Sequence, residues 1–333
     1  MVPEEKRPLV ERALQTAFDV TWFDEVCQLT AGLSSALIFK IVIKNKPYLL
    51  RIITQMNNVN DPAHWYNCMT AAAEAGIAPR VWYTNAADGL CITDFVEAKP
   101  FELNLAREKM PTLLSRLHTL PAFPNRMNYL ERMDGFVQKF RAACTLPGKM
   151  AARLFEHYDQ IKRAYPTNYG DLVACHNDLK PENILFDGTE PWLVDWEAAF
   201  LNDRYTDLAV IANFAVNNDL EEKAYLKAYF GSDAADYQLA RFYLMRQLLH
   251  FFYFTFFGLI CFNANQPVDL TGPYPSFREF HDRMWAGSVK LANADARQQY
   301  ARAHLGQLLH NLQQGRFVKA LVIVKNNSYK PGD

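Results

Sequence analysis

His176, Asp178 and Asn183 stand together in the stretch CHNDLKPENILF, and a dozen residues after Asn183 comes LVDWE with Asp195 and Glu197. A carboxylate and an amide five residues apart on a short irregular loop can converge on one point. Asp195, beyond a tight turn at Asp187-Gly188, can return to the same place. Two carboxylates and an amide oxygen are hard ligands that suit Mg²⁺ alongside phosphate oxygens. Phosphoryl transfer uses such a set: one carboxylate orients and deprotonates a hydroxyl, and the others hold Mg²⁺ on a nucleotide. A bound cation would also explain why carboxylates are set among apolar strand formers, since an uncompensated buried charge is costly. The bland reading makes Asp178 a helix cap, Asn183 a turn residue and Asp195 part of a surface hairpin. The joint spacing, with a basic residue ending a hairpin upstream, argues for chemistry.

Several elements must position these groups. MVPEEKRPLVERALQTAF carries Leu9, Val10, Ala13, Leu14 and Ala17 at helical spacing, which predicts an amphipathic helix and not a signal peptide. Leu37, Phe39, Ile41 and Ile43 alternate, the Asn45-Lys46-Pro47 break follows, and Tyr48 to Ile53 resumes as a second strand: a β-hairpin. Asp61-Pro62 predicts a helix start, with the helix stopping at Gly76. Short strands follow over 80–83 and 90–96, about the turn Ala87-Asp88-Gly89. From about Phe101 helical patterns dominate, interrupted by the strand-like pieces Ile184–Phe186 and Trp192–Val194. The expectation is an α+β, two-lobed fold: a small β-rich lobe over 1–98 and a large α-helical lobe over 99–333.

Composition narrows the class. The chain has 333 residues, half of them hydrophobic, which suits a globular fold with one large core or two lobes. A net charge of −1 argues against wholesale binding to nucleic acid or an anionic membrane. Cys27, Cys68, Cys91, Cys144, Cys175 and Cys261 are scattered without paired spacing, which reads as reduced cysteines in a cytoplasmic protein. Leu248–Phe262 is apolar except for His250 and Thr255, yet falls short of the roughly 18–20 residues of a membrane span, so a buried helix is expected.

HNDLKPENIL resembles the catalytic loop, and LVDWEAAFLNDRYTDLAV the magnesium-binding segment, of the aminoglycoside phosphotransferase and choline kinase superfamily, which has a protein-kinase-like fold. Protein kinases read H-R-D and D-F-G at these places; H-N-D and D-W-E are similar to the small-molecule kinases instead. The resemblance implies ATP and Mg²⁺ as cofactors. It makes Asp178 the catalytic base, Asn183 and Asp195 the metal ligands, His176 a support of the loop, and Asp207 a structural brace. Lys180 would either reach the transferring phosphate or remain solvated. Ser34 and Ser35 lie where a kinase covers the phosphates, Arg51 in LLRII stands where kinases put their phosphate-binding lysine, and Asp94 and Val96 fall in a stretch resembling the adenine-gripping hinge. One departure stands out. The helix after Arg51 shows His64 and Trp65 where kinases carry a glutamate, so the ion pair is either absent or made by another acid.

The acceptor pocket should be built by the helical lobe. Tyr253 and Phe256 match two aromatic positions, three apart, that cage a quaternary ammonium in choline kinases; core packing reads the same way in sequence. Glu197 and Asp203 would add negative potential. An acidic, aromatic pocket suits a cationic amino alcohol such as choline or ethanolamine. An aminoglycoside, thiamine or a sugar remains as an alternative acceptor, and a nucleotide-binding pseudokinase or a protein kinase as an alternative class.

Overall fold

A computed structural model describes residues 2–29, 36–54, 62–125, 127–143, 146–166, 172–264 and 269–327. The small lobe is an antiparallel sheet of five strands, β1 (Glu25–Leu29), β2 (Leu37–Ile43), β3 (Lys46–Ile52), β4 (Val81–Asn85) and β5 (Leu90–Asp94), in the order β1-β2-β3-β5-β4. The β2–β3 turn places Lys44 and Asn45 at φ 51° and 63°, the left-handed pair that a two-residue hairpin requires. Period-two alternation sends Phe39, Ile41, Ile43, Tyr48, Leu50 and Ile52 to one face. There they pack on Val10, Ala13 and Leu14 of helix α1 (Arg7–Phe18). Arg51, one residue out of phase, is therefore turned to the opposite face, toward the second lobe.

That opposite face is closed by α2 (Pro62–Glu74), which ends before Gly76 at φ 65°. Asp61, the expected cap, lies outside the described residues. Trp65, Tyr66, Cys68, Met69 and Ala72 of α2 belong to the same apolar cluster as the large lobe, so the two lobes share a core across α2.

The chain crosses between lobes over 95–102. There Lys99 N–H donates to the Phe186 carbonyl at 2.7 Å and Phe101 stacks on Phe186 with centroids 4.6 Å apart. The large lobe is helical: α3 (Leu103–Leu117), α4 (Tyr129–Ala143), α5 (Gly148–Ala164), α6 (Arg204–Ala215), α7 (Asp219–Phe230), α8 (Asp236–Asn263), α9 (Phe277–Trp285), α10 (Ala294–Leu312) and α11 (Gly315–Asn327). Two short ribbons interrupt it. The hairpin β7 (Ile184–Phe186) and β8 (Pro191–Leu193) falls where the sequence predicts it. The pair β6 (Leu172–Cys175) and β9 (Phe200–Asp203) carries no such signal. The result is a bilobal, protein-kinase-like α+β fold.

Helix α8 is longer than its apolar stretch suggests. By length and composition alone it could cross a membrane, but 61% of its most apolar window is buried in the protein. It runs between α4, α6, α10 and α11 as the central strut of the large lobe. Gly258 is where α4 comes closest: a Cβ there would sit 2.8 Å from the Phe140 ring, itself 1% exposed. Alanine is the better helix former by about 1 kcal/mol, but overpacking a rigid buried ring costs about 1–3 kcal/mol. Gly258→Ala is therefore expected to be net destabilising, read as a lowered urea midpoint with an unchanged slope.

Candidate active site

Strand β6 delivers His176 to the cleft and the loop then turns sharply, with Asn177 at φ 65°. The turn is held from below. Asp207, fully buried in the first turn of α6, accepts from the His176 N–H on one oxygen and the Asn177 N–H on the other, both at 2.8 Å. His118 Nε2 lies 3.3 Å from the same carboxylate. Burial pushes the Asp207 carboxyl up, but the hydrogen bond and charge of His118, the charge of His176 and the His176 N–H outweigh it and hold the pKa below the ordinary aspartate value. His118, Cys175 and Asp207 cluster closely enough to suggest a metal site. With both carboxylate oxygens occupied by backbone N–H groups, the cluster reads as a brace. The Asn177 side chain completes the turn, donating to the Ala198 carbonyl at 3.0 Å and accepting from Asn202 at 2.6 Å.

His176 is buried against Trp196, ring centroids 4.8 Å apart. Its Nε2 lies 2.9 Å from the Val194 carbonyl, and its Nδ1 3.4 Å from the Asp178 N–H. A tautomer protonated at Nε2 satisfies both, so the imidazole supports the loop, as expected. Asp178 projects into the cleft, where Lys180 Nζ donates to Oδ2 at 2.7 Å. Burial would lower the Lys180 pKa, but the charge and hydrogen bond of Asp178, then the charge of Asp195, raise it overall.

Asn183 Nδ2 donates to the Asp178 carbonyl at 2.8 Å and to its carboxylate at 3.0 Å. The amide oxygen is then the atom available to a hard cation. The β7–β8 hairpin, with Val194 N–H on the Asn183 carbonyl at 3.0 Å, brings Asp195 back beside Asn183. Asp195 sits in the left-handed region at φ 66°. Trp196 behind it is buried and donates to the Leu193 carbonyl at 3.1 Å. Anchoring the indole inward turns Asp195 and Glu197 toward the cleft. One amide oxygen and one carboxylate on facing segments are a donor set that fits Mg²⁺.

Arg51 meets them from β3. Its Nη1 is 3.5 Å from Asp195 Oδ1 and its Nη2 donates to Glu197; its guanidinium lies 4.9 Å from the Trp65 ring centroid. Four of the sequence-predicted groups, Arg51, Asp178, Asn183 and Asp195, therefore border one cleft.

Other expectations need correction. Glu197 was expected beside the acceptor, and among the described residues it pairs with Arg51. Asp203 is buried: it caps α6 through the Tyr205 N–H at 2.9 Å and accepts from Tyr165 and Arg241, both at 2.8 Å. Asp94 is committed to the sheet, its N–H to the Arg80 carbonyl at 2.9 Å and its carboxylate to Trp82 Nε1 at 2.7 Å, because it ends a strand before the hinge begins. Val96 is half-buried within the connection. Ser34 and Ser35 lie outside the described residues.

Tyr253 and Phe256 share a half-buried stripe of α8 with Phe252 and Phe257, but lean to different flanks. Tyr253 packs with Tyr300 (5.5 Å) and His304 (4.8 Å), whereas Phe256 packs with Phe136 (5.1 Å) and Phe252 (5.4 Å). Burial, then neighbouring tyrosines and the charge of Asp178, push the Tyr253 hydroxyl pKa well up. Burial and the charge of Asp178 act likewise on Tyr129, and Tyr300 feels burial, then Glu182 and Asp178. Phe252 links Tyr253 (5.3 Å) and Tyr129 (6.2 Å), so with Tyr300 the three phenols belong to one aromatic cluster. Tyr129 and Tyr300 were missed from sequence, since neither lies in a motif.

The chain belongs to the phosphotransferase enzyme family, which it matches over residues 25–243. It is a phosphotransferase of the kind that uses an alcohol group as acceptor. A curated relative matches part of the chain, and solved structures share its fold. Protein LicA of Haemophilus influenzae is 37% identical over 119 residues, 35% of this chain and 28% of LicA, so the match spans little more than a quarter of that relative. A choline/ethanolamine kinase family protein from Mesorhizobium loti has a similar fold, with a TM-score of 0.65 at 21% identity over 96% of this chain and 99% of that one. A spectinomycin phosphotransferase solved with ADP and spectinomycin gives a TM-score of 0.54 at 12% identity, over 96% and 98% of the two chains.

Asp207→Asn should leave a backbone N–H poorly satisfied and cost about 1–3 kcal/mol. The carboxyl pKa is lowered on folding, so its contribution is present above the unfolded value and lost as pH falls through the folded one. The stability gap between wild type and Asp207→Asn, measured by urea unfolding, should be wide at pH 7 and narrow below about pH 4.

Proposed function

We propose that the protein transfers the γ-phosphate of ATP to the hydroxyl of a small cationic amino alcohol of the choline or ethanolamine type. Asp178 receives the acceptor proton, Asn183 and Asp195 hold Mg²⁺, and Arg51 contacts the nucleotide phosphates. Bound Mg²⁺ supplies charge neutralisation at the phosphate oxygens. The protein's share of the rate is positioning: the Asp207 brace fixes the loop, and Asn183 and Lys180 hold the Asp178 carboxylate in one orientation.

The acceptor class is supported by the half-buried aromatic stripe of α8, where Tyr253 packs on Tyr300 and Phe252 on Tyr129. With Glu197 on Arg51 and Asp203 on Arg241, those two carboxylates are removed from acceptor recognition. Tyr129, Phe252, Tyr253 and Tyr300 remain, and ring faces attract an ammonium by about 0.5–2 kcal/mol each. One cationic centre among rings suits an amino alcohol better than a polycationic aminoglycoside, which calls for spread carboxylates. The scattered cysteines, with Cys27, Cys68, Cys91, Cys175 and Cys261 free, fit the cytoplasm as its location. An acid on Arg51, where α2 offers none at that level, favours an active kinase over a pseudokinase.

An acceptor panel tests this reading. Choline or ethanolamine should be phosphorylated with a higher kcat/KM than an aminoglycoside. Asp178→Ala should lower kcat by about 10²–10⁴ with folding intact. Tyr253→Ala should raise the KM of the amino alcohol about tenfold and leave the KM of ATP in place. Turnover of an aminoglycoside with none of either amino alcohol would overturn the acceptor class.

A further inference from the structure

We infer that Glu197 is the residue that positions Arg51 for the nucleotide phosphates, doing from the large lobe what protein kinases do with a glutamate on the helix after the strand. The inference rests on the phosphotransferase reading of the cleft. In protein kinases the strand lysine pairs with a helix glutamate, and the pair must be in place for phosphoryl transfer. Helix α2 offers no carboxylate at that level: its sequence PAHWYNCMTAAAE holds one acid, Glu74, at its last residue. Trp65 of α2 lies against the guanidinium instead, 4.9 Å from its carbon. His64 is directed away, its Nε2 2.5 Å from the Ala199 carbonyl.

The carboxylate that reaches Arg51 comes 146 residues later in the chain. Trp196 is anchored inward, and this projects Glu197 outward onto Nη2 while Asp195 stands 3.5 Å from Nη1. The His64–Ala199 contact ties α2 to the same segment, so ring and carboxylate approach the guanidinium from elements joined to each other. A planar fork gripped by a carboxylate, with its face on an indole, has little rotational freedom, which lysine could not match. The Glu197 side chain is 46% exposed and that of Arg51 12%. A pair of this kind adds little to folding stability, so its effect should appear in nucleotide binding.

Three roles for Glu197 predict three different defects. If it positions Arg51, Glu197→Gln lowers the affinity for ADP in metal-free buffer, read by calorimetry, by about tenfold. The KM for ATP rises by a similar factor and the KM for the acceptor does not move. Glu197→Asp, with charge kept and reach shortened, recovers part of the loss. Adding Glu197→Gln to Arg51→Ala changes ADP affinity no further, because one residue acts through the other. A defect confined to the acceptor KM would return Glu197 to the acceptor pocket and overturn the inference. So would a defect confined to the magnesium requirement at saturating nucleotide, or full additivity with Arg51→Ala. Absence of ADP binding by the wild type would overturn the phosphotransferase reading along with it; wild-type binding unaltered in Glu197→Gln would overturn the Glu197 role alone.

Discussion

Two consecutive backbone N–H groups, those of His176 and Asn177, close on the two oxygens of one buried carboxylate, Asp207. The chain turns sharply just after them, with Asn177 at φ 65°. Asparagine tolerates that conformation better than most residues, but it still has to be enforced. The carboxylate enforces it, and Asn177 returns the support by bridging to Ala198 and Asn202 on the segment after Asp195. Everything in the cleft that depends on where Asp178 points depends first on this buried contact. Its origin is α6, whose start is fixed by the Asp203 cap and by Tyr165 and Arg241 on that cap.

The acidic groups of the motif are not left for a cation alone to compensate. Asp178 pairs with Lys180, and Asp195 and Glu197 with Arg51. Charges alternate along the cleft, which lets carboxylates sit half-buried between apolar strands without the penalty of isolated ions. The same pairs are exchangeable. A guanidinium 3.5 Å from Asp195 and an ammonium on Asp178 are the groups that phosphate oxygens attract, and the carboxylates they would leave are those that suit a hard cation. The folded chain thus sets cationic and anionic groups in adjacent pairs along the cleft.

Legibility followed the range of the interactions. The β2–β3 hairpin, α1, the stop at Gly76 and the hairpin at Ile184–Leu193 rest on local alternation, caps and turns, and all stand where the sequence predicts them. So do the cleft residues of the loop, because their spacing is itself local. The strands β6 and β9 were invisible: each is four residues long and stabilised by a partner almost thirty residues away. The acid for Arg51 was sought on the next helix and found 146 residues downstream, a pairing that only tertiary structure creates. Asp203 looked like a free acid because sequence does not show the burial that commits it to Arg241. Tyr129 and Tyr300 reach the groove from α4 and α10, helices whose patterns are those of ordinary packing.

Helix α8 shows why aromatic recognition is the hardest part to read. Phe254, Thr255 and Gly258 are buried in the core, while Phe252, Tyr253, Phe256 and Phe257 are half-buried on an adjoining stripe. Both faces are equally apolar, so composition cannot tell core from groove. Beneath the stripe His250 Nδ1 lies 2.8 Å from His304 Nδ1, which requires one ring to donate and the other to accept, and burial depresses the pKa of both. Burial likewise pushes His281 down to about 3. These three histidines are therefore uncharged at neutral pH. That neutrality suits a base such as Asp178. Ring faces can hold an ammonium without adding a titrating charge. The half-buried stripe of rings lies over neutral histidines and so adds no titrating charge of its own at neutral pH.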